Sequence, residues 1–317
     1  MKKGGGGMAE IKTVSIIGLG ALGILFGHHL SKKMPAKNLR IIADQQRIER
    51  YEREGVYCNG EKCHFHYVTP EETVEPADLV LFTVKFNGLD EAVEAVKQHV
   101  GPDTVILSAL NGISSEEIIG RTYGMDKMLY CVAQGMDAVK TGNQLTYAHM
   151  GMLCFGEKEP GLFSDKMKKV ARFFEQTDLP YEADTQMMKR LWGKFMLNVG
   201  VNQTVAVYKS NYGEIQKDGP AREMMIAAMR EVEALSEKEG FPLTEEDLRY
   251  WLKVVGNLSP AGKPSMAQDV EAKRYSEVGL FSGTVIKLGK KYGVQVPVNE
   301  ELNRRIREIE STYTAVH

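Results

Sequence analysis

The sequence predicts an α/β fold, in which a doubly wound parallel sheet is followed by an all-helical C-terminal domain. Short apolar, β-branched runs alternate with helical patterns as far as residue 184, which is typical of βαβ units. From residue 185 onward only helical periodicity continues. We therefore expect one domain over residues 9–184 and a second over 185–317, and a length of 317 residues also favours two domains.

Composition excludes several classes of protein. The 40 basic and 42 acidic residues nearly cancel, and no basic stripe marks a nucleic-acid partner. No apolar run approaches the roughly 20 residues of a membrane span. Residues 1–8, MKKGGGGM, resemble a tag or linker rather than a secretory signal. The chain has 4 cysteines and no secretory signal, which predicts reduced thiols and a cytoplasmic location. We also predict no membrane partner, because no apolar run is long enough.

A glycine motif joins the first predicted strand to the first helix. The apolar run at 14–17 leads into six residues: Gly18, Leu19, Gly20, Ala21, Leu22 and Gly23. In this setting the first glycine permits a tight turn, the second lets a pyrophosphate approach the backbone, and the third lets the helix pack on the sheet. Unpaired N–H groups at the helix N-terminus also favour phosphates. The motif predicts a dinucleotide site in a Rossmann-type domain; a glycine-rich turn without a ligand is the alternative.

The second predicted strand, residues 38–43, ends at Asp44. An acidic residue at this point binds the 2′-hydroxyl of the adenine ribose and repels a 2′-phosphate, which favours NAD. The alternative is an ordinary loop carboxylate, because Arg47 lies close enough in sequence to meet a phosphate. The choice between NAD and NADP is open at this point.

An Asn59-Gly60 turn predicts a β-hairpin over residues 56–68. The segment also holds four potential metal ligands: Cys58, Cys63, His64 and His66. Their spacing fits no zinc template, and consecutive strand residues point to opposite faces, so we predict no metal site.

Two further strands are predicted to deliver polar residues to one edge of the sheet. The strand at 78–84 ends at Lys85, and the strand at 104–110 ends at Asn111-Gly112. Ligands of open α/β sheets bind outside the carboxyl ends of the strands, so both residues are candidates for cofactor contact. Turn chemistry alone is the alternative for the asparagine.

The remaining elements are predicted from periodicity and capping. In the first domain they are a helix at 90–100, strands at 128–133 and 150–155 joined by a polar turn at 140–143, a helix at 166–177 and an edge strand at 179–183. In the second they are helices at 185–207, 222–239, 244–255 and 267–292 and a last helix from Pro297.

One face of the helix at 185–207 carries Lys194, Asn198 and Asn202 at i, i+4 and i+8. Asparagine is a poor helix former and the flanking residues are apolar, so we expect this stripe to face a wet cleft that holds the nicotinamide. A lysine there can act as a general acid. A solvated helix surface is the alternative. Further along, Ser265 is predicted to be a helix N-cap, either as a cap alone or as a group that holds a carboxylate.

The chain resembles the ketopantoate reductase (2-dehydropantoate 2-reductase) family over nearly its whole length. The matching motifs are GLGALG at 18–23, TVK ending at Lys85, NG at 111–112, KxxxNxxxN at 194–202, SMxQD at 265–269 and Glu277. The resemblance implies NADPH-dependent reduction of a 2-oxo acid, ketopantoate, to the (R)-2-hydroxy acid for pantothenate biosynthesis. It also implies a homodimer.

The resemblance assigns roles by matching position. Lys194 would be the proton donor, and Glu277 would anchor the nicotinamide side of the site. The substrate would be oriented by Asn198, Asn202 and Ser265 and approached by Asn111, which also lies near the nicotinamide. Lys85 and Ala138 would contact the cofactor, together with the glycine motif and Asp44.

Three positions depart from the family pattern. Asp44 stands where a basic residue is usual, Gly279 where aspartate is common, and Tyr212 where a substrate-contacting turn has asparagine. A relative that reduces another branched or aromatic 2-oxo acid is therefore one alternative. A protein that senses NAD(P) without catalysis is a second, which the presence of Lys194 and Glu277 disfavours.

Overall fold

The structure is a computed structural model that describes residues 10–313. These residues form two compact units, one ending at Met188 and the other beginning at Lys189. Residues 1–8, for which a tag or linker is predicted, lie outside the described part of the chain. Within 10–313, no helix combines the length and the apolar character needed to cross a membrane.

The first unit alternates strands and helices. Its described strands are β1 (Val14–Ile17), β2 (Leu39–Ile42), β3 (Tyr57–Cys58), β4 (Glu61–Lys62), β5 (His66–Val68), β6 (Leu79–Phe82), β7 (Val105–Ser108), β8 (Met128–Gln134), β9 (Val139–Thr141), β10 (Gln144–Thr146), β11 (Met152–Gly156) and β12 (Tyr181–Ala183). Its α-helices are α1 (Ala21–Ser31), α2 (Gln45–Glu54), α3 (Leu89–Ala95), α4 (Ser115–Tyr123) and α5 (Asp165–Gln176).

The predicted doubly wound sheet is confirmed. Eight strands form the main sheet in the order β12-β11-β8-β7-β6-β1-β2-β5. The six from β5 to β8 are parallel, whereas β11 is antiparallel to β8. The chain order reverses between β1 and β6, which is the switch point where ligands bind in open α/β sheets.

Both faces of the sheet are covered by apolar side chains. All residues of β1, β2, β6 and β7 are buried. Alternation along β1 sends Val14 and Ile16 into one hydrophobic cluster and Ile17 into another. Burial on two sides explains why the central strands are mostly apolar, with single polar residues at Ser15, Arg40 and Ser108.

The hairpin predicted at 56–68 is correct in its first half only. Strands β3 and β4 pair antiparallel, and Asn59 and Gly60 have φ of 48° and 80°, as a type I′ turn requires. Residues 66–68 are instead β5, which pairs parallel with β2 at the edge of the main sheet. The polar turn at 140–143 is itself a hairpin, β9–β10, and completes a four-stranded sheet in the order β4-β3-β10-β9.

The second unit is helical over its described residues, as predicted. Its helices are α6 (Met187–Val207), α7 (Tyr212–Gln216), α8 (Pro220–Lys238), α9 (Glu245–Gly256), α10 (Ser265–Glu271), α11 (Ser282–Tyr292) and α12 (Pro297–Ser311). The expected cap of α9 is present, since Thr244 and Asp247 form a capping box. Pro297 begins α12, as predicted.

The single helix predicted at 267–292 is wrong. Residues 272–281 interrupt it and join α10 to α11; we call this segment the linker. Helix α10 ends in a Schellman motif, in which Arg274 N donates to the Asp269 carbonyl and Lys273 N to the Val270 carbonyl. Lys273 occupies the left-handed position at φ 53°. Because this position usually holds glycine, the stop is not visible in the sequence.

A buried amide ties three helices of the second unit together. Gln203, which is 0% exposed, donates from Nε2 to the Val199 carbonyl and to Asn299 Oδ1 at 2.8 and 3.2 Å. Its Oε1 accepts from Ser282 N at 3.1 Å. These bonds fix α6 against α11 and α12, and so fix the position of the preceding residue, Asn202.

Candidate active site

The glycine motif at the end of β1 has the close packing that its sequence predicts. Gly18 has a φ of 99°, and a Cβ there would lie 2.7 Å from Val84 Cγ1. A Cβ at Gly23 would lie 1.9 Å from the Gly18 carbonyl oxygen and 2.8 Å from Thr83 Oγ1. The Thr83 hydroxyl, which sequence reasoning did not single out, donates to the carbonyls of Gly18 and Ile17 at 2.6 and 3.1 Å. The turn is therefore held by backbone and by one threonine.

The N-terminus of α1 is suited to a phosphate. Gly20 is its N-cap in an extended conformation, and no side chain caps the helix. A Cβ at Gly20 would meet only the Thr83 carbonyl oxygen, at 3.4 Å, so the space above the turn is open. Ala21 and Leu22 are half-buried. The first-turn N–H groups and the helix dipole thus form a cradle that fits the pyrophosphate of a dinucleotide.

Asp44 caps α2. Its Oδ1 accepts from Arg47 N at 2.8 Å, and its Oδ2 lies 3.2 Å from Arg47 Nε. Asp44, which would favour NAD, and Arg47, which could meet a 2′-phosphate, are therefore paired with each other. Both side chains are about half exposed, at 45% and 52%. Capping of α2 is thus a sufficient structural role for the Asp44 carboxylate, and this role requires no ligand.

Lys85 and Asn111 lie at the carboxyl edge of the sheet, beside the glycine motif. Strands β6 and β7 pair in register, with Phe82 opposite Ser108. Lys85 follows β6 and is exposed, whereas Asn111 follows β7 and is half-buried. Ala138, also half-buried, lies between β8 and β9. The parallel register thus brings the polar ends of β6 and β7 to the edge where β1 ends.

A buried carboxyl group supports the loop that carries Asn111. The Ser108 and Ser115 hydroxyls are 2.8 Å apart, and Ser115 Oγ donates to Glu116 Oε2 at 2.9 Å. Glu116 is 1% exposed, and burial raises its pKa to about 7. This network closes the loop between β7 and α4. Sequence reasoning missed it, because α4 was not predicted and a buried glutamate leaves no periodic signal.

The polar stripe on α6 is present. Lys194 and Asn198 are half-buried, and Asn202 is 6% exposed. Asn202 Nδ2 donates to Asn198 Oδ1 at 3.3 Å, as side chains four residues apart on a helix can. The stripe is therefore a partly buried, interacting set and not a fully solvated surface.

Asn202 joins this stripe to Ser265. Its Oδ1 lies 3.3 Å from Ser265 Oγ and 3.4 Å from Met266 N, both of which donate to it. Ser265 is the first residue of α10 rather than its N-cap, which is Pro264; that prediction is wrong by one residue. Proline has no side-chain acceptor, so the Asn202 amide takes up an N–H of the first turn instead. The structure thus brings Asn198, Asn202 and Ser265 together.

Glu277 lies in the linker and is half-buried. Its carbonyl accepts from Leu280 N at 2.9 Å and from Phe281 N at 3.3 Å. At Gly279, two residues on, a Cβ would approach only Arg307 Nη2, at 3.6 Å, so a side chain would fit there. Glu277 is thus carried on a short irregular segment, not on a helix.

Tyr212, the third departure from the family pattern, begins α7. Its N–H donates to the Gly262 carbonyl at 3.0 Å, and Gly213 N donates to the Pro260 carbonyl at 2.8 Å. The ring is close to Gly262, where a Cβ would lie 3.0 Å from Tyr212 Cδ2. Tyr212 therefore packs on the loop that leads to Ser265.

The four potential metal ligands of the β3–β5 region do not converge. Cys58 and Cys63 are buried, whereas His64 and His66 are exposed. Within the described residues, no group of three or more histidine, cysteine, aspartate or glutamate side chains is arranged to hold a metal ion.

Comparison with known proteins gives a consistent family. The model of the ketopantoate reductase PanE/ApbA family matches residues 14–160, and the model of its C-terminal domain matches residues 186–310. The 2-dehydropantoate 2-reductase of Aquifex aeolicus is 26% identical over 297 residues, or 92% of this chain and 95% of the relative. That of Archaeoglobus fulgidus is 26% identical over 302 residues, or 95% and 99%.

Solved structures share the fold. D-mandelate dehydrogenase in complex with NADH and anilino(oxo)acetate superimposes with a TM-score of 0.84 at 22% identity, covering 95% of this chain and 99% of that one. The PanE/ApbA family ketopantoate reductase from Ralstonia eutropha JMP134 has a TM-score of 0.81 at 24% identity, with the same coverage. The motifs, the two-unit architecture and the matches to both family models agree: this chain belongs to the ketopantoate reductase family.

Proposed function

We propose that the protein is a 2-dehydropantoate 2-reductase, which reduces ketopantoate to (R)-pantoate with NADPH or NADH. One observation carries the proposal: Lys194, Asn198 and Asn202 share a face of α6, and Asn202 is hydrogen-bonded to Ser265 on α10. A 2-oxo acid needs a proton donor for its carbonyl and polar groups for its carboxylate, and this cluster contains both. The names of the relatives support the same substrate.

The first unit is proposed to hold the cofactor. When bound, a reduced nicotinamide dinucleotide supplies the hydride. The N–H groups at the start of α1 would hold its pyrophosphate, because Gly18 and Gly23 shape the turn and Gly20 leaves the approach open. Lys85, Asn111 and Ala138, which follow strands of the same sheet, are proposed to contact the rest of the cofactor.

The second unit is proposed to hold and protonate the substrate. As the carbonyl carbon is reduced, negative charge develops on its oxygen, and the Lys194 ammonium stabilises that charge and donates the proton. Asn198, Asn202 and Ser265 would orient the substrate hydroxyl and carboxylate through hydrogen bonds. Glu277 is proposed to anchor the nicotinamide side of the reacting groups.

Two observations favour a second candidate, a reductase of a bulkier aromatic 2-oxo acid that uses NADH. Asp44 stands where a basic residue would bind a 2′-phosphate, and the D-mandelate dehydrogenase that shares this fold was solved with NADH and anilino(oxo)acetate. Tyr212 would then shape the substrate pocket. A sensor without catalysis has less support, because sensing requires neither Lys194 nor Glu277.

Initial rates with two acids and two coenzymes test the proposal. Ketopantoate and phenylglyoxylate are each offered with NADPH and with NADH, at equal concentrations of enzyme. We expect ketopantoate to be the better substrate by at least tenfold in kcat/KM. Turnover of phenylglyoxylate alone would contradict the proposal in favour of the second candidate. Absence of turnover with either acid would contradict both and favour the sensor.

We also propose that the protein is a homodimer. A ketopantoate reductase from Staphylococcus aureus that is described as dimeric shares the fold, with a TM-score of 0.77 at 15% identity. Light scattering during size-exclusion chromatography should give twice the mass of one 35.4 kDa chain. A mass of one chain at micromolar concentration would contradict the dimer. The cytoplasmic location stays a prediction from the sequence.

A further inference from the structure

A buried carboxylate near the end of α12 binds the linker. Glu310 is 2% exposed and is the last residue but one of the helix. Its Oε1 accepts two hydrogen bonds from Ser276, one from the backbone N–H at 2.7 Å and one from the hydroxyl at 2.5 Å. Arg307 Nη1 lies 3.4 Å from Oε2. A carboxylate is costly to bury, so these bonds define a specific contact rather than a chance approach.

Tyr313, three residues after Glu310, contacts both the linker and the last turn of α10. The Tyr313 hydroxyl donates to the Val270 carbonyl at 3.2 Å, in the last turn of α10. The Tyr313 ring meets the Tyr275 ring edge-on, with centroids 5.8 Å apart. Tyr313 N donates to the Glu310 carbonyl, so the two residues are held together. We call Ser276, Glu310 and Tyr313 the brace.

The brace acts on the residue immediately before Glu277. Ser276 is 5% exposed, and both its backbone N–H and its side chain are fixed to one oxygen atom. Consecutive Cα atoms are about 3.8 Å apart, so fixing the Ser276 backbone restricts where Glu277 can lie. The linker is neither helix nor strand, and its position therefore depends on such tertiary bonds.

We propose that Glu310 is a positioning residue, which sets Glu277 for the reduction by holding Ser276 through Oε1. This inference rests on the proposed function, in which Glu277 takes part. Glu310 is not among the residues proposed to contact substrate or cofactor, and its described side-chain bonds are to Ser276 and Arg307. Its effect passes through the Ser276 bonds, and a small displacement of a group at the reaction site can cost a large factor in rate.

Two substitutions of Glu310 separate positioning from packing. Glu310→Gln keeps an acceptor oxygen for both Ser276 bonds, whereas Glu310→Leu keeps a similar volume and removes the acceptor. We expect kcat for ketopantoate to fall at least tenfold in the leucine variant and to stay within threefold of wild type in the glutamine variant. Thr244→Ala is the matched control, because it removes the capping box of α9 and so destabilises the same unit without touching the linker. Its kcat should not change at a temperature below all the unfolding transitions.

Hydrogen exchange of the linker gives a readout that needs no substrate. Backbone amides of residues 272–281, Ser276 above all, should exchange at least tenfold faster in Glu310→Leu than in wild type or Thr244→Ala. If wild type reduces no 2-oxo acid but this exchange pattern holds, the proposed function fails and the brace stands. The inference would be overturned if Glu310→Leu had the same kcat as Thr244→Ala and the same rate of hydrogen exchange in the linker.

Milder variants keep the test available if Glu310→Leu does not fold. Ser276→Ala removes one of the two bonds to Oε1, and Tyr313→Phe removes only the bond to Val270. We expect a threefold or greater loss of kcat in Ser276→Ala and a smaller loss in Tyr313→Phe. Unchanged kcat and unchanged linker exchange in Ser276→Ala would also overturn the inference.

Discussion

The two units build their polar sites in different ways. In the first, the candidate cofactor site is made by main chain: two glycines that tolerate no Cβ and an uncapped helix N-terminus. In the second, the candidate substrate site is made by side chains, since the Asn202 amide bonds both Asn198 on its own helix and Ser265 on α10. A main-chain site depends on local geometry, whereas a side-chain site depends on helices that meet only in the folded unit.

The largest expected effect concerns the main-chain site. Gly23→Ala would place a Cβ 1.9 Å from the Gly18 carbonyl oxygen, a clash that only a shift of β1 or α1 can relieve. We expect a loss of stability on the order of 4 kcal/mol or more, together with loss of dinucleotide binding. Denaturant unfolding and calorimetric titration measure the two effects.

Gly20→Ala is the matched control for that variant. A Cβ there meets only one atom, at 3.4 Å, so stability should change by about 1 kcal/mol or less. Dinucleotide binding should nevertheless weaken at least tenfold, because the methyl group enters the phosphate approach. Equal unfolding midpoints for Gly23→Ala and wild type would contradict the packing role of Gly23.

The second prediction concerns the buried network of Ser108, Ser115 and Glu116, which supports the loop after β7. Burial raises the pKa of Glu116 to about 7 from its usual 4.5. The folded protein therefore keeps a proton that the unfolded chain releases, and stability falls as pH rises from about 4.5 to about 7. The loss is on the order of 3 kcal/mol.

Glu116→Gln cannot ionise, so its stability relative to wild type should rise across that pH window and level off above it. Urea unfolding at pH 4.5, 5.5, 6.5 and 7.5 measures the difference. Burial also lowers the pKa of His99, to about 4, which costs stability as pH falls from 6.5 to 4. That effect is common to both proteins and cancels in their difference. Parallel pH profiles would show that Glu116 does not hold its proton.

The smallest expected effect concerns Asp44. Asp44→Ala removes the N-cap of α2 and should cost about 1 kcal/mol of stability. If the carboxylate also repels a 2′-phosphate, the ratio of kcat/KM for NADPH over NADH should rise at least threefold. Ser164→Ala removes the equivalent cap of α5 and should cost as much stability without changing that ratio. If the ratio of kcat/KM for NADPH over NADH does not change in Asp44→Ala, Asp44 caps α2 but does not select the coenzyme.

The main sheet was predictable because its strands are short apolar runs between turn signals. The glycine motif was predictable because its geometry depends only on residues that are close together in the sequence. Helices α2, α4 and α7 were missed. Helix α2 buries only Ile48 and Tyr51, and α4 buries a single large apolar residue, Ile119, beside the polar Ser115 and Glu116. Helix α7 has only five residues, 212–216. Periodicity reports apolar burial and is silent about buried polar groups.

The candidate substrate site was predictable only in part. The spacing of Lys194, Asn198 and Asn202 placed them on one face of α6, as observed. The bond from Ser265 to Asn202 joins residues 63 positions apart, which no local pattern reports. The end of α10 was hidden because Lys273 takes a left-handed position that sequence rules reserve for glycine.

The central claim is that dinucleotide binding belongs to the first unit and proton donation to Lys194 in the second. Lys194→Ala tests it most directly, with dinucleotide affinity measured by calorimetry and kcat measured on the same sample. Lys189→Ala is the control on the same helix; that side chain is 48% exposed and pairs with Asp247 at 3.1 Å.

We predict that Lys194→Ala loses about 10²- to 10⁴-fold in kcat while its dinucleotide Kd stays within threefold of wild type. Lys189→Ala should match wild type in both. Undiminished turnover in Lys194→Ala would contradict the role of Lys194 as proton donor. Loss of dinucleotide binding in the same variant would contradict the assignment of binding to the first unit and proton donation to the second.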